Sequence, residues 1–475
     1  MGILNSKMGL YTDHYELTMA QAYFLTGRHL NQAVFDYFFR KLPFNGGYVI
    51  FAGLNELLPA IEQFRFDKED ILFLESIGFD KKFTKYLSDF SFEGNIYAPG
   101  EGEVVFPKEP LIRVEGNIIE TQLIETMLLN LINFESLIAT KAARIRFAAG
   151  DSIVIDFGLR RAQGFGGIQA SRAAMIGGMN ATSNLYSARL FGVPSSGTQA
   201  HSWIQTYDSE LEAFRDFATR YPDNCIILVD TYDTLQSGVP NAIKVAREME
   251  QTGHKLKGIR LDSGDLAYLS KKARKMLDDA GLHYVSIVAS NQLDEHLIKS
   301  LNQQGAAIDS YGIGTRLVTG MTDAALDGVY KLSGYNGQPK LKMSDNIEKL
   351  TLPDKKKIIR YFDNDGYFYA DAITLLNEDN PERMIHPDNP DIVNSKIHSF
   401  RKEEILQPVM KKGQIVALEK DIKKIAKFSA NRLKLLPGEH KRFENPHVYK
   451  VGLSDKLFTL RKKIVASHKS HILGG

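Results

Sequence analysis

One cysteine, Cys225, is the only thiol in this 475-residue chain. A single thiol forms no intrachain disulfide and rules out a multi-cysteine metal site. Its place at the head of the apolar run IILVD predicts a buried, inert group. The N-terminus lacks the charged, apolar, small-residue progression of a secretory leader, and no apolar stretch of about 18 residues stands out as a bilayer span. These absences point to a reducing, cytoplasmic setting with no membrane partner. Met1-Gly2 followed by Ser6 fits a myristoylation pattern too short to carry weight. Low-complexity tracts and solenoid-period repeats are missing as well.

Charge of one sign is also missing, with 59 Lys and Arg against 57 Asp and Glu. The balance conceals an asymmetry. From Arg401 onward 18 basic residues face 7 acidic ones, which leaves the first 400 residues acidic. No zinc pattern or interleaved aromatic motif accompanies the basic tail, so a solvated surface or subunit contact is expected there and a nucleic-acid partner is not.

What is present begins with length, which exceeds one core and implies two or three domains. Residues 1–140 read as an α+β domain. Asp13 to Phe24 has the cap and apolar spacing of a helix start, and the Gly- and Pro-punctuated runs over 92–120 read as short antiparallel strands. A long helix over 120–149 leads onward. Hairpin-like segments at about 326–380 are expected to complete the N-terminal sheet. Prolines 381, 387 and 390 mark a linker, and 381–475 reads as a basic, mostly helical C-terminal region.

Between them, over 141–325, five apolar runs each stop at a polar ending: IVIDFGLRR (153–161), CIILVDTYDT (225–234), GIRLDSGDL (258–266), VSIVASNQLDE (285–295) and IDSYGIGTR (308–316). Strand runs alternating with helix-forming stretches predict a parallel β/α barrel, an α/β fold. Loops at the carboxyl ends of such strands build active sites. Fewer than eight obvious strands make the barrel irregular or incomplete.

The strand endings carry the chemistry. Gly312 and Gly314 would let backbone N–H groups approach a phosphate, with Thr315 adding a hydroxyl and Ser290 and Asn291 further donors. Two glycines in a loop often serve only a turn. Arg260 and Asp262 point to one side of their strand. They either pair with each other or divide the work, Arg260 gripping a carboxylate as a bidentate fork and Asp262 accepting from sugar hydroxyls. Asp265 fits the first turn of the next helix. Arg160 and Arg161 suit a pyrophosphate, or form a surface pair. His201, in the loop GTQAHS, can act as base, acid or nucleophile toward phosphate, with Asp230 and Asp233 available to orient it or assist a divalent ion. A phosphate, a sugar, a pyrophosphate and a small anion together predict phosphoribosyl transfer.

The ordered motifs Tyr11-Thr12-Asp13-His14-Tyr15, FGLRRAQG (157–164), GTQAHS (197–202), VDTYDT (229–234), GIRLDSGDL, ASNQLDE (289–295) and GIGT (312–315) resemble the nicotinate phosphoribosyltransferase family across the first two-thirds of the chain. That resemblance implies a type II phosphoribosyltransferase-like barrel with an α+β N-terminal domain and a smaller C-terminal one. It implies ATP-coupled joining of nicotinate to 5-phosphoribosyl 1-pyrophosphate with Mg2+ on the pyrophosphate. The products are nicotinate mononucleotide and pyrophosphate, a step of NAD salvage. By motif His201 is transiently phosphorylated, Asp230 and Asp262 join it as catalytic residues, and Tyr15, Phe157, Thr198 and Arg260 hold nicotinate. Arg160, Arg161, Asp262, Ser290, Asn291, Gly312, Gly314 and Thr315 take the phosphoribosyl pyrophosphate. A homodimer with Tyr15 supplied in trans is also implied.

Three other readings stand beside it. A nicotinamide-using relative would share the tyrosine, the aromatic and the histidine, although RRAQG and GTQAHS resemble the acid-using branch. A quinolinate site would call for more cationic ligands. A non-catalytic binding barrel would have lost the histidine, the LDSGD aspartate or the arginine pair, all of which are present.

Overall fold

The computed structural model describes residues 7–343, 350–395, 397 and 400–473, which divide into two compact units. One is continuous, Lys141–Ala324. The other joins Met1–Thr140 to Ala325–Gly475.

The continuous unit is built on six parallel strands. In spatial order they are Ala181–Thr182, Ile153–Asp156, Ser310–Ile313, Ser286–Ser290, Gly258–Leu261 and Ile226–Leu228. All neighbours run parallel, and the two outermost strands do not pair with each other, so the barrel is incomplete. Each strand centre is apolar because a parallel sheet is covered on both faces. The helices between them present one apolar stripe each. In Leu266–Asp279 the buried positions are Leu266, Ala267, Ser270, Ala273 and Leu277, the spacing of one helix face. Register sets the site. Arg260 lies level with Leu228 and Val288, Ser290 with Gly312, and Asp156 with Thr182 and Ile313.

The discontinuous unit holds two larger sheets. One has seven strands in the order Gln338–Pro339, Gly328–Tyr335, Gln32–Phe39, Ile112–Asn117, Asn95–Ala98, Gln407–Lys411 and Gln414–Ile415. Its apolar face and the helix Ile118–Leu123 feed a core that includes Phe35, Tyr37, Phe64, Phe83 and Leu123. Full burial of each such large apolar side chain is worth roughly 1.5–3 kcal/mol. The helix His14–Leu25 starts where expected, but Asp13 makes no side-chain cap; its Oδ2 accepts from Thr126 Oγ1 at 2.8 Å instead.

Two expectations are corrected here. Of the segments at 326–380, only Gly328–Tyr335 and Gln338–Pro339 extend the N-terminal sheet. The hairpin Lys356–Phe362/Phe368–Leu375 belongs to a second six-stranded sheet with Arg401–Glu404, Val451–Ser454, Met384–Ile385 and Val393–Asn394. The region 381–475 is therefore mixed, with the helices Ile422–Leu435 and Asp455–Leu473 set among strands. Its edge strand reads RKEE, with no apolar alternation to betray it. Arg360 secures this sheet from inside. It is fully buried, grips Asp371 through Nε and Nη2, and reaches Glu103 Oε1 at 2.7 Å.

By length and composition the stretch Ile118–Ala149 is long and apolar enough to cross a bilayer, against the expectation that no such run stands out. Most of it is buried within the protein, as in the core helix of a globular domain.

Candidate active site

Four polar side chains meet where Gly258–Leu261 and Ser286–Ser290 end. Arg260 donates from Nε to Ser290 Oγ at 2.9 Å, from Nη1 to Thr198 Oγ1 at 3.0 Å and from Nη2 to Asp262 Oδ1 at 3.0 Å. Nη1 also lies 3.4 Å from the Gln199 carbonyl, and the Ser290 hydroxyl donates to Asp262 Oδ1. A guanidinium carries five N–H donors, so one, on Nη2, is left for a ligand. The two readings of Arg260 thus coexist: it pairs with Asp262 and keeps a free donor. A bidentate grip on a carboxylate requires one present acceptor to yield. The Phe157 ring stands 5.5 Å from the guanidinium carbon, within cation–π range.

His201 begins the helix His201–Gln205. Its Nδ1 is 3.1 Å from Thr231 Oγ1, and its Nε2 is 3.8 Å from Asp262 Oδ2. Asp262 therefore faces two ways, with one oxygen on Arg260 and Ser290 and the other toward the imidazole. Asp230 stands behind it. Asp230 Oδ2 accepts from the Asp262 backbone N–H at 2.8 Å and from Ser263 Oγ at 2.6 Å, which fixes the loop. Asp230 Oδ1 is buried without a partner.

Asp233 has a different task. Its Oδ1 caps the helical segment Thr234–Gly238, accepting from Leu235 N and Gln236 N at 3.0 and 2.7 Å. Asp265 likewise caps Leu266–Asp279 through Tyr268 N. Among the described residues no group of three or more His, Cys, Asp or Glu forms a metal cage. Of the two aspartates expected near a metal, Asp230 keeps Oδ1 unused and buried, and Asp233 keeps an exposed Oδ2 beside its capping oxygen.

The strand Ile153–Asp156 ends in a buried carboxylate that organises the next loop. Asp156 accepts from Gly158 N at 2.8 Å and from Ser171 Oγ and Thr182 Oγ1, both at 2.7 Å. Burial raises its pKa, and these three donors oppose that rise. Arg160 and Arg161 follow in the short turn Leu159–Arg161, exposed and with no ion pair among the described residues. Gly312 gives its room to Phe157. A Cβ there would stand 2.4 Å from the Phe157 ring carbons, so this glycine is required by an aromatic neighbour. Gly314 precedes the short helix Thr315–Val318, with Thr315 partly exposed at its start. After the buried Ser290, Asn291 and Gln292 take left-handed φ values of 89° and 47°, turning the chain sharply at the strand end.

Tyr15 belongs to the discontinuous unit. It lies in the first turn of His14–Leu25 and is 48% exposed. Partial burial, then the charge of Glu125, raises its phenol above the ordinary range. Cys225 is buried, and burial pushes its thiol up to about 12.

Sequence reasoning missed Thr231, Ser263 and the Asp156–Ser171–Thr182 cluster. A signal existed for Asp156, since an apolar run closing on Asp places a carboxylate at the sheet's end.

The comparisons with known proteins bear on this geometry directly. Residues 153–365 match the "Nicotinate phosphoribosyltransferase (NAPRTase) family" model, flanked by matches to its N-terminal domain over 10–133 and its C-terminal domain over 355–461. A nicotinate phosphoribosyltransferase of Bacillus subtilis (strain 168) is 42% identical over 99% of this chain and 98% of its own. The chain belongs to the nicotinate phosphoribosyltransferase family. A Bos taurus relative of the same name is 32% identical, with 96% of each chain covered. The crystal structure of human nicotinic acid phosphoribosyltransferase superposes with a TM-score of 0.86 at 31% identity, covering 95% of this chain and 99% of that one. A nicotinate-nucleotide pyrophosphorylase from Pyrococcus furiosus shares the fold, with a TM-score of 0.71 at 23% identity and coverage of 90% and 96%. Membership in this family makes the chain an enzyme.

Proposed function

We propose that the protein transfers phosphoribose from 5-phosphoribosyl 1-pyrophosphate to the ring nitrogen of nicotinate, forming nicotinate mononucleotide and pyrophosphate for NAD salvage. The observation that carries this reading is the Arg260–Thr198–Ser290–Asp262 node beside Phe157. A pyridine ring resting on Phe157 brings its carboxylate to the free Nη2 donor, and Thr198 can release Nη1 to complete a two-point grip. Nicotinamide, with no charge to neutralise, gains far less from that guanidinium.

Departure of pyrophosphate leaves a cationic, oxocarbenium-like ribose, so the site must place the ring nitrogen and stabilise the leaving group. Arg160 and Arg161, exposed and with no ion pair among the described residues, are suited to the pyrophosphate. Ser290, Asn291, Gly312, Gly314 and Thr315 line the strand ends where the phosphoribosyl group is expected. Asp262 Oδ2 is available to a ribose hydroxyl. When bound, Mg2+ would neutralise pyrophosphate charge, and Asp230 Oδ1 and Asp233 would be the carboxylate oxygens to hold it.

ATP coupling through His201 belongs to the same proposal. In the tautomer whose Nδ1–H donates to Thr231 Oγ1, Nε2 holds the free electron pair. That pair attacks the γ-phosphorus of ATP, the bond to the bridging oxygen breaks, and ADP departs. Water later cleaves the N–P bond, giving inorganic phosphate and neutral histidine. Asp262, 3.8 Å from Nε2, senses this change of charge. A homodimer in which exposed Tyr15 serves the neighbouring subunit's base site completes the reading.

The deciding assay measures mononucleotide formation from phosphoribosyl pyrophosphate with nicotinate or nicotinamide, each with and without ATP and magnesium. ATP-stimulated turnover of nicotinate is expected. Preference for nicotinamide would overturn the Arg260 assignment, and turnover of neither base would overturn the reaction.

A further inference from the structure

Two of the strand ends expected to take the phosphoribosyl group are tied together beyond the sheet. Ser290 lies level with Gly312, where Ser286–Ser290 and Ser310–Ile313 run parallel. Four residues past each of these the chain meets itself again, as Arg316 Nη1 donates to Asp294 Oδ2 at 2.6 Å. The register pair and the ion pair close a frame. Asn291 lies along one side of it, and Gly314 and Thr315 lie along the other.

The two sides are held differently. Asp294 is buried, and its second oxygen, Oδ1, accepts from Leu297 N at 2.8 Å and caps the helix Glu295–Gln303. Glu295 is fully buried between Lys141 Nζ at 2.6 Å and Arg144 Nε at 2.8 Å. That side is anchored. Its turn nevertheless carries Asn291 and Gln292 at left-handed φ, a conformation that persists where the chain on either side is fixed. The opposite side is the four-residue helix Thr315–Val318, with Leu317 and Val318 buried and Arg316 its one charged side chain. Asp294 is the charge that ties this short helix to the anchored side.

Donors to one phosphate must converge within hydrogen-bonding reach, and a change of about 1 Å in their separation defeats that. We propose that Asp294 and Arg316 are a positioning pair. Their ion pair sets the distance between the loops 290–294 and 312–316, and through it the affinity for the phosphate end of phosphoribosyl pyrophosphate. Neither side chain touches the substrate in this role. The inference rests on the assignment of the phosphoribosyl group to these strand ends.

The test is titration calorimetry of the full chain with phosphoribosyl pyrophosphate, for Asp294→Asn, Arg316→Gln and the double variant. Asp294→Asn keeps an oxygen for Leu297 N. Each single variant should weaken binding about tenfold, the worth of a charge-assisted hydrogen bond. The double variant should be no weaker than the weaker single one, because the tie is lost only once. Arg316→Lys keeps a charge within reach of Asp294 and should recover part of the loss. The KM for nicotinate, at saturating phosphoribosyl pyrophosphate, should stay at the wild-type value throughout. If Asp294→Asn lowers the melting temperature, Asp294→Ser takes its place, since serine caps a helix as well and is too short to reach Arg316. A loss in Arg316→Gln with none in the Asp294 variant would make Arg316 a direct phosphate ligand and overturn the pair. Undiminished binding in both single variants, or losses that multiply in the double one, overturns it as well. A wild type that binds phosphoribosyl pyrophosphate, shows this pattern and turns over no base would keep the pair and sink the reaction.

Discussion

Arg260 and Phe157 come from strands that are not neighbours in the sheet, yet the guanidinium carbon stands 5.5 Å from the ring centroid. On the proposed function, the ring and the charge face the flat, anionic base together. Arg260→Ala is expected to raise the KM for nicotinate about tenfold or more, since a charge-assisted hydrogen bond contributes roughly 1.5–3 kcal/mol. Arg260→Lys should rescue little. An ammonium cannot span Ser290, Thr198 and Asp262 at once. Steady-state kinetics with both variants check this, and an unaltered KM in Arg260→Ala removes the carboxylate contact.

Gly312 tests the part played by the ring. A methyl group at this position meets the Phe157 ring at 2.4 Å, so Gly312→Ala should displace the ring and weaken nicotinate binding. Phe157→Leu in the same chain relieves the collision, and the double variant should lose less than the two single losses combined. Strict additivity in that cycle would mean that the ring and the glycine act independently.

His201→Ala should abolish ATP–ADP exchange while leaving ATP-independent transfer measurable, because the imidazole is not part of the base site. Exchange at the wild-type rate would take the phosphoryl role away from His201.

Glu16 gives a pH signature. It is fully buried beside Thr12 and Thr126, and burial raises its pKa from 4.5 to about 7. Folding therefore favours the neutral acid. The stabilisation is fully present below the unfolded value of 4.5 and is lost as pH rises through about 7. Glu16→Gln keeps the neutral shape. Urea midpoints of variant and wild type should agree near pH 4.5 and separate in the variant's favour by pH 8. A constant difference across that range contradicts the assignment.

Arg360→Met should be severe. It leaves Asp371 buried without its cation and Glu103 with Arg432 alone, and removing one partner from such a group costs about 3–5 kcal/mol. Denaturant unfolding measures it, and a loss under about 1 kcal/mol would mean that the carboxylates find protons or other donors.

Much of this was legible in the sequence because parallel strands buried on both faces read as apolar runs. Ile153–Asp156, Ile226–Leu228, Gly258–Leu261, Ser286–Ser290 and Ser310–Ile313 all lie within the runs identified, with chemistry at their ends. Ala181–Thr182 escaped notice because two residues make no period. Within the site, residue types were readable and partnerships were not. Asp230 and Asp233 are three residues apart in one motif, yet one braces the Asp262 loop and the other caps a helix. Only neighbours distant in sequence decide between those roles. The C-terminal region misled for another reason: its Lys-rich helices announce themselves, while its short strands are recruited by the hairpin that precedes them.

The strand Gln32–Phe39 has as one of its two partners Gly328–Tyr335, which follows the whole of Lys141–Ala324 in the sequence. During synthesis, at roughly 5–20 residues per second, that partner leaves the ribosome on the order of 15–60 seconds later. Lys141–Ala324 is complete by then and free to fold, while Gln32–Phe39 waits with one edge open. An open edge recruits other strands. Until Gly328–Tyr335 emerges, the free edge of Gln32–Phe39 is where the newborn chain can pair with a wrong strand.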